Sequence, residues 1–282
     1  MTTLKLNNQT AEQLDTMLDN GVLTIIMNRP KTLNGWTTEM MEAIKDALAV
    51  ASKNDEVKVV ILTGQGTYYS AGVNLGRSLK LMHPKKLRDL IIDYNQQLFE
   101  SFLEFPKPIL AAVNGPSIGA SVTSATLCDG IIASENATFS TPFAALGVTP
   151  EGCSSVHLPR LIGQQNTERM LGKEGWKPTG AEALDIGLAQ WLVNEEKLLD
   201  KAHEIAQDWI QQEKTRSFLG GSELSELKAV NAQESINLAN AFLAKPFLKG
   251  QSKFFWRKQK YALSAIFFVL QISRPIWAKL LS

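Results

Sequence analysis

The chain has 282 residues, 44% of them hydrophobic and 20% charged, with 29 Lys and Arg against 28 Asp and Glu. That length buries a sizeable core in one large domain or two small ones, and a net charge of +1 supplies no field for nucleic acid or an acidic partner. Two cysteines, Cys128 and Cys153, are too few and too far apart for a disulfide framework or zinc knuckle and read as reduced, buried thiols of an intracellular protein; three histidines without ligand spacing argue against a metal site.

Residues 1–20 carry no charged segment followed by an apolar one, so no secretory signal is expected, and they read as an amphipathic or partly disordered lead-in. Gly21 opens the run VLTIIMN, apolar enough for a strand buried on both faces. Arg29 and Pro30 end it, and Thr37-Thr38-Glu39 launches a helix through MMEAIKDALAVA, whose apolar residues recur near a period of 3.6. Asn54-Asp55 breaks that helix, and VKVVILTG is a second buried strand, suited to parallel pairing with the first. Gly64-Gln65-Gly66 lacks the third glycine and the acidic residue of a dinucleotide site. Tyr68 and Tyr69 then lead into Ser70-Ala71-Gly72, small residues that let backbone approach a ligand or simply form a turn.

Residues 85–105 have an amphipathic helical pattern, stopped by Pro106 and Pro108. The strand ILAAVNG follows, then a Gly/Ala/Ser/Thr-rich helix over about 119–129, and a short strand from Gly130 to Ala133. In TFSTPFAALGVTPEGCSSVH the spacing predicts a helix with Thr149 as N-cap, Pro150 first and Glu151 in the opening turn. Glu151 is then either an exposed acid complementing the helix dipole or a neutral acid among Phe143, Leu146 and Val148, prepared for proton transfer. Beyond Gly180 the chain reads as helical, with 197–218 and 222–243 as amphipathic helices. The alternation of strands and helices predicts an α/β fold with mostly parallel strands.

Four stretches, GVLTIIMNRPKTLNG, VVILTGQGTYYSAGVNL, KPILAAVNGPSIGASV and ATFSTPFAALGVTPEGCSS, resemble the crotonase (enoyl-CoA hydratase/isomerase) superfamily over about residues 21–190. The TPEGCSS run is most similar to the peroxisomal-type 3,2-trans-enoyl-CoA isomerases. Such relatives often carry an acyl-CoA-binding domain in front, for which the lead-in leaves no room. The resemblance implies a ββα spiral core over 21–200, a helical lid or oligomerisation region over 201–260 and an apolar tail over 261–282. It implies acyl-CoA as substrate, no separate cofactor or metal, and a homotrimer or hexamer.

Carried over by motif, the backbone amides of Val73 and Ala120 would stabilise a thioester enolate, with Gly119 and the small residues beside them admitting the carbonyl. Hydratases of the superfamily use two glutamates, at positions that here hold Thr123 and Phe143; isomerases use one, where this chain has Glu151. The pattern implies a 3-enoyl-CoA to 2-enoyl-CoA isomerase, with Phe143 excluding water. A non-catalytic acyl-CoA-binding module and a dienoyl isomerase are the alternatives. Lys31 is implied near the coenzyme A pantetheine or phosphates, though alone it reads as a solvated loop cation. Ser70, Ala71, Gly72, Asn74 and Leu75 are implied on the adenine side, Asn74 standing where many relatives have Asp. The resemblance implies a peroxisome, with the mitochondrion as alternative, although the final Leu-Leu-Ser is not a peroxisomal address.

The tail, with its run ALSAIFFVLQI, has three readings. An apolar stretch from Ala262 to Ile272 is short of the ~20 residues of a membrane span. The basic-aromatic KFFWRK would suit single-stranded nucleic acid only with a stronger charge field. Packing on a neighbouring subunit is favoured over peripheral membrane contact.

Overall fold

The computed structural model describes residues 12–73 and 82–281. The chain starts with a hairpin in which β1 (Leu14–Asp19) pairs antiparallel with β2 (Val22–Met27). Asn20 and Gly21 both take positive φ, 47° and 82°, the two-residue turn whose twist matches the flanking strands. This corrects the expected lead-in: residues 14–19 are an edge strand, with Leu14 and Leu18 buried on its inner side. Residues 1–11 lie outside the described residues.

After α1 (Thr38–Lys53), the strands β3 (Val59–Gly64), β4 (Ile109–Val113), β6 (Gly130–Ser134) and β8 (Trp191–Val193) extend the sheet in the order β1-β2-β3-β4-β6-β8, every pairing beyond β1 being parallel. Their apolar runs follow from burial on both faces. Val60 and Leu62 point into the main core, while Val59 and Ile61 join Leu110 and Ile132 against Ala202, Ile205 and Trp209 of α7 (Leu198–Gln211). α7 stops at Gln211 rather than continuing to 218, and Arg216 beyond it bridges the buried Asp129 at 2.7 Å while donating to the carbonyls of Phe102 and Leu127.

Each large strand is followed by a short extended piece that stacks on its predecessor. Trp36 bridges Val73, Ser70 bridges Ser117, and β5 (Ser117–Ile118) pairs in parallel with β7 (Phe139–Ser140). This two-column winding is the ββα spiral. α2 (Pro84–Leu103) and α3 (Ala120–Thr126) cover its inner side, followed by α4 (Phe143–Leu146), α5 (His157–Leu171) and α6 (Gly180–Asp185).

The C-terminal region is helical. α8 (Leu224–Phe242) packs along α2, and α9 (Lys245–Arg257) turns back into α10 (Tyr261–Trp277) as a hairpin with its own small core of Phe247, Leu248, Phe255 and Phe267. The helical stretch continues to Leu280, giving 20 residues from Tyr261, within which an 18-residue window has mean hydropathy 1.3. By length and composition it is long enough and apolar enough to cross a membrane, the one such helix among the described residues. The apolar run from Ala262 to Ile272 lies inside this helix.

Candidate active site

Two backbone segments build one wall of a cavity of about 320 Å³. Gly72 has φ +73°, and a Cβ there would stand 2.2 Å from the Ile118 carbonyl oxygen, so only glycine lets the two chains touch. The contact is held from behind by Ser70. Its carbonyl accepts the Ile118 amide at 3.0 Å, and its hydroxyl donates to the Asn34 carbonyl and accepts the Gly72 amide. Ser70 is therefore fully buried and off the cavity surface, whereas Ala71, Gly72, Val73, Gly119 and Ala120 all line it. Among the described residues the amides of Val73 and Ala120 donate to no main-chain acceptor. For Ala120 the reason is its place in the first turn of α3, where no intrahelical carbonyl is in reach.

Glu151 lines the same cavity. The expected helix start at Thr149 does not form: α5 begins only at His157. Gly152 and Cys153 take φ +63° and +64°, two consecutive left-handed residues that no helical first turn accommodates. The segment is a tight loop in which the Ser154 amide and hydroxyl both donate to the Glu151 carbonyl. A second carboxylate braces it from α8: Glu234 accepts the Cys153 amide at 2.7 Å and the Ser155 amide at 2.8 Å. These bonds hold Cys153 in a conformation costly for a residue with a Cβ.

The Glu151 side chain lines the cavity and is only 7% exposed. Burial pushes its acid up to about 8, and the negative charge of Glu234 adds to the rise. Burial also raises Glu234, against the opposing pull of its bonds from Ser155 and Cys153. With no helix starting at Thr149, the apolar surroundings decide the balance posed by the sequence, in favour of the neutral acid.

The rest of the cavity is a trough of apolar side chains. Met41, Leu90, Ile91, Leu98, Phe143, Leu146, Phe242 and Phe247 come from α1, α2, α4, α8 and α9. Glu151 is the one acid lining it among the described residues. Thr123 is buried next to the Glu151 loop, its hydroxyl donating to the Ala120 carbonyl at 3.2 Å and lying 2.7 Å from where a Cβ on Gly152 would stand. Lys31 is exposed on the turn Pro30–Thr32 and does not line the cavity. Asn74 and Leu75 lie outside the described residues. Among the described residues no three His, Cys, Asp or Glu side chains gather as a metal-binding group.

The sequence reading missed Glu234, Tyr94 and Asn95, the last two lining the cavity from α2. For Glu234 a signal existed. Leu227, Asn231, Glu234 and Leu238 share the buried stripe of α8, an acid placed on an apolar helical face.

Residues 18–255 match the family model described as Enoyl-CoA hydratase/isomerase. The chain is 33% identical to human "Enoyl-CoA delta isomerase 2" over 267 residues, 88% of this chain and 64% of that protein. It is 30% identical to mouse "Enoyl-CoA delta isomerase 3, peroxisomal" over 262 residues, 87% of this chain and 78% of that one. It spans less than two thirds of the length of the human protein. A crystal structure of an enoyl-CoA hydratase/isomerase from Pseudoalteromonas atlantica superposes with a TM-score of 0.75 at 26% identity, covering 87% of this chain and 97% of that one.

Proposed function

The chain belongs to the enoyl-CoA hydratase/isomerase (crotonase) family, and from its cavity we propose a 3,2-enoyl-CoA isomerase that moves a C3–C4 double bond to C2–C3. The observation that carries this reading is an apolar trough lined, among the described residues, by one acid and by Val73 and Ala120, whose amides donate to no described main-chain acceptor.

Ionised Glu151 takes a proton from C2 of a 3-enoyl thioester, and the electrons move onto the thioester oxygen as a dienolate. The Val73 and Ala120 amides donate to that oxygen; one such preorganised donor is worth about 3 kcal/mol at the transition state. The proton now sits on a carboxyl group whose surroundings favour the neutral form, and it is returned at C4. C2 and C4 end a single allylic unit, so one carboxylate serves both. Hydration would need a second carboxylate to hold water, and the positions the family uses for such acids carry Thr123 and Phe143. Phe143 and Leu146 keep water from the intermediate.

The reading takes coenzyme A as part of the substrate, Lys31 near its phosphates, no further cofactor, and a trimer or hexamer as the working form. The reading takes oxidation of unsaturated fatty acids as the role, and likeness to the mouse peroxisomal protein supports the peroxisome as the compartment. The test is a panel of cis- and trans-3-enoyl-CoA thioesters assayed beside hydration of 2-enoyl-CoA. Isomerisation should exceed hydration by orders of magnitude. Dominant hydration, or tight coenzyme A binding with no double-bond migration at any chain length, would refute it.

A further inference from the structure

The α9–α10 hairpin is built the wrong way round for a helix facing water. From Ala262 to Ile276 every exposed residue of α10 is apolar, including Phe268 at 53%, Ile272 at 57% and Ile276 at 76% exposure. Two polar residues face inward: Ser264 exchanges hydrogen bonds with Ser252 of α9, and Arg274 donates to the Leu243 carbonyl. At the turn between the two helices, Trp256, 64% exposed, stacks edge-on against Tyr261 with ring centroids 4.9 Å apart. Around this surface the charge has one sign. Residues 244–282 contain eight Lys and Arg and no Asp or Glu, in a chain whose total is +1. Lys245, Lys249, Lys253, Arg257, Lys258 and Lys260 are all exposed along α9 and the turn.

We propose that this hairpin docks on an anionic phospholipid surface, α10 lying in the interface with its apolar face among the acyl chains and the basic residues of α9 and the turn against the headgroups. An apolar helix face flanked by a cluster of Lys and Arg is the combination that binds such surfaces, and exposed Trp and Tyr favour the headgroup level. Two copies meeting face to face would bring together two sets of six exposed cations, with no acid in residues 244–282 to set against them. A span is disfavoured by Arg274 within the helix and by the packing of Phe267 on Phe255, which ties α10 to α9 along its length. α10 also lies beyond the family match, which ends at residue 255.

The test is flotation of the full chain with phosphatidylcholine vesicles, with and without phosphatidylserine, at low and high salt. Binding should require phosphatidylserine and weaken with salt. Lys253→Gln/Lys258→Gln/Lys260→Gln should weaken it about 100-fold, at about fivefold per charge. Phe268→Ser/Val269→Ser/Ile272→Ser should abolish it, and both variants should keep the circular dichroism spectrum and soluble-substrate turnover of the parent. Equal binding to neutral and anionic vesicles, or none to either, overturns the proposal. So does resistance of the bound protein to alkaline extraction, which would mark a span. Loss of a parent oligomer in the serine variant, without vesicle binding by the parent, would place a second copy on the face instead.

Discussion

Glutamine at position 151 keeps the shape of the side chain and removes both its charge and its proton. In the folded protein this acid is raised from 4.5 to about 8. Between those values the folded chain holds a proton that the unfolded chain has released, so unfolding free energy falls as pH rises. The stabilisation is complete below 4.5 and is lost as pH passes through about 8. At about 1.4 kcal/mol per pH unit, with partial ionisation at both ends, wild type loses about 4 kcal/mol through this group between about pH 5 and pH 9. Glu234, raised by its own burial, gives a slope of the same sign in both proteins, so their difference isolates position 151. Urea denaturation across that range should show Glu151→Gln gaining about 4 kcal/mol on wild type from the acid to the alkaline end. The same variant should lose about 10²–10⁴-fold in turnover of a 3-enoyl-CoA, while wild-type kcat/KM climbs with pH to a half-point near 8. Parallel stability curves would show that the acid is not held neutral in the cavity. Retained turnover would show that it does not carry the proton.

Glu234→Gln removes the negative neighbour but leaves one of the Cys153 and Ser155 amides without its carboxylate oxygen. It should move the alkaline half-point of kcat/KM down and cost about 1–3 kcal/mol in denaturation; an unmoved pH profile would refute the coupling. Gly152→Ala puts a Cβ 2.5 Å from the buried ring of Phe99 at a φ of +63°, and should cost about 2–5 kcal/mol on denaturation, with kcat falling more than KM rises. Arg216→Ala strands the fully buried Asp129 carboxylate and should lower stability by about 3–5 kcal/mol without altering the pH dependence of turnover.

The parallel strands were legible because both their faces are buried, which makes VLTIIM, VVILTG and ILAAV continuous apolar runs. β1 was not, because Leu14 and Leu18 are four apart, a spacing shared by one face of a strand and one face of a helix. The pair Asn20-Gly21 carried the missing signal for a hairpin. Around Glu151 the letters Thr-Pro-Glu obeyed the rules of a helix start, and the two left-handed residues after them decided otherwise. Cys153 gives no local hint of that conformation, since the bonds enforcing it come from Glu234, on a helix far along the chain. The small residues at 70–73 and 117–120 were readable as a close approach; that Ser70 is the latch behind the wall and not part of its surface depends on the Ser70–Ser117 bridge, which only the spiral creates.

The clamp made by Glu234 has a consequence for how this protein divides. The proposed proton carrier and both proposed amide donors are encoded before residue 152, yet the loop that holds Glu151 is braced by a carboxylate roughly eighty residues downstream. A fragment ending before α8 would retain every reacting group while losing the brace that fixes one of them. On the proposed function the helical region belongs with the site as firmly as the spiral does, and a cut or a tag that unseats α8 should silence the proposed reaction while leaving Glu151, Val73 and Ala120 in the chain.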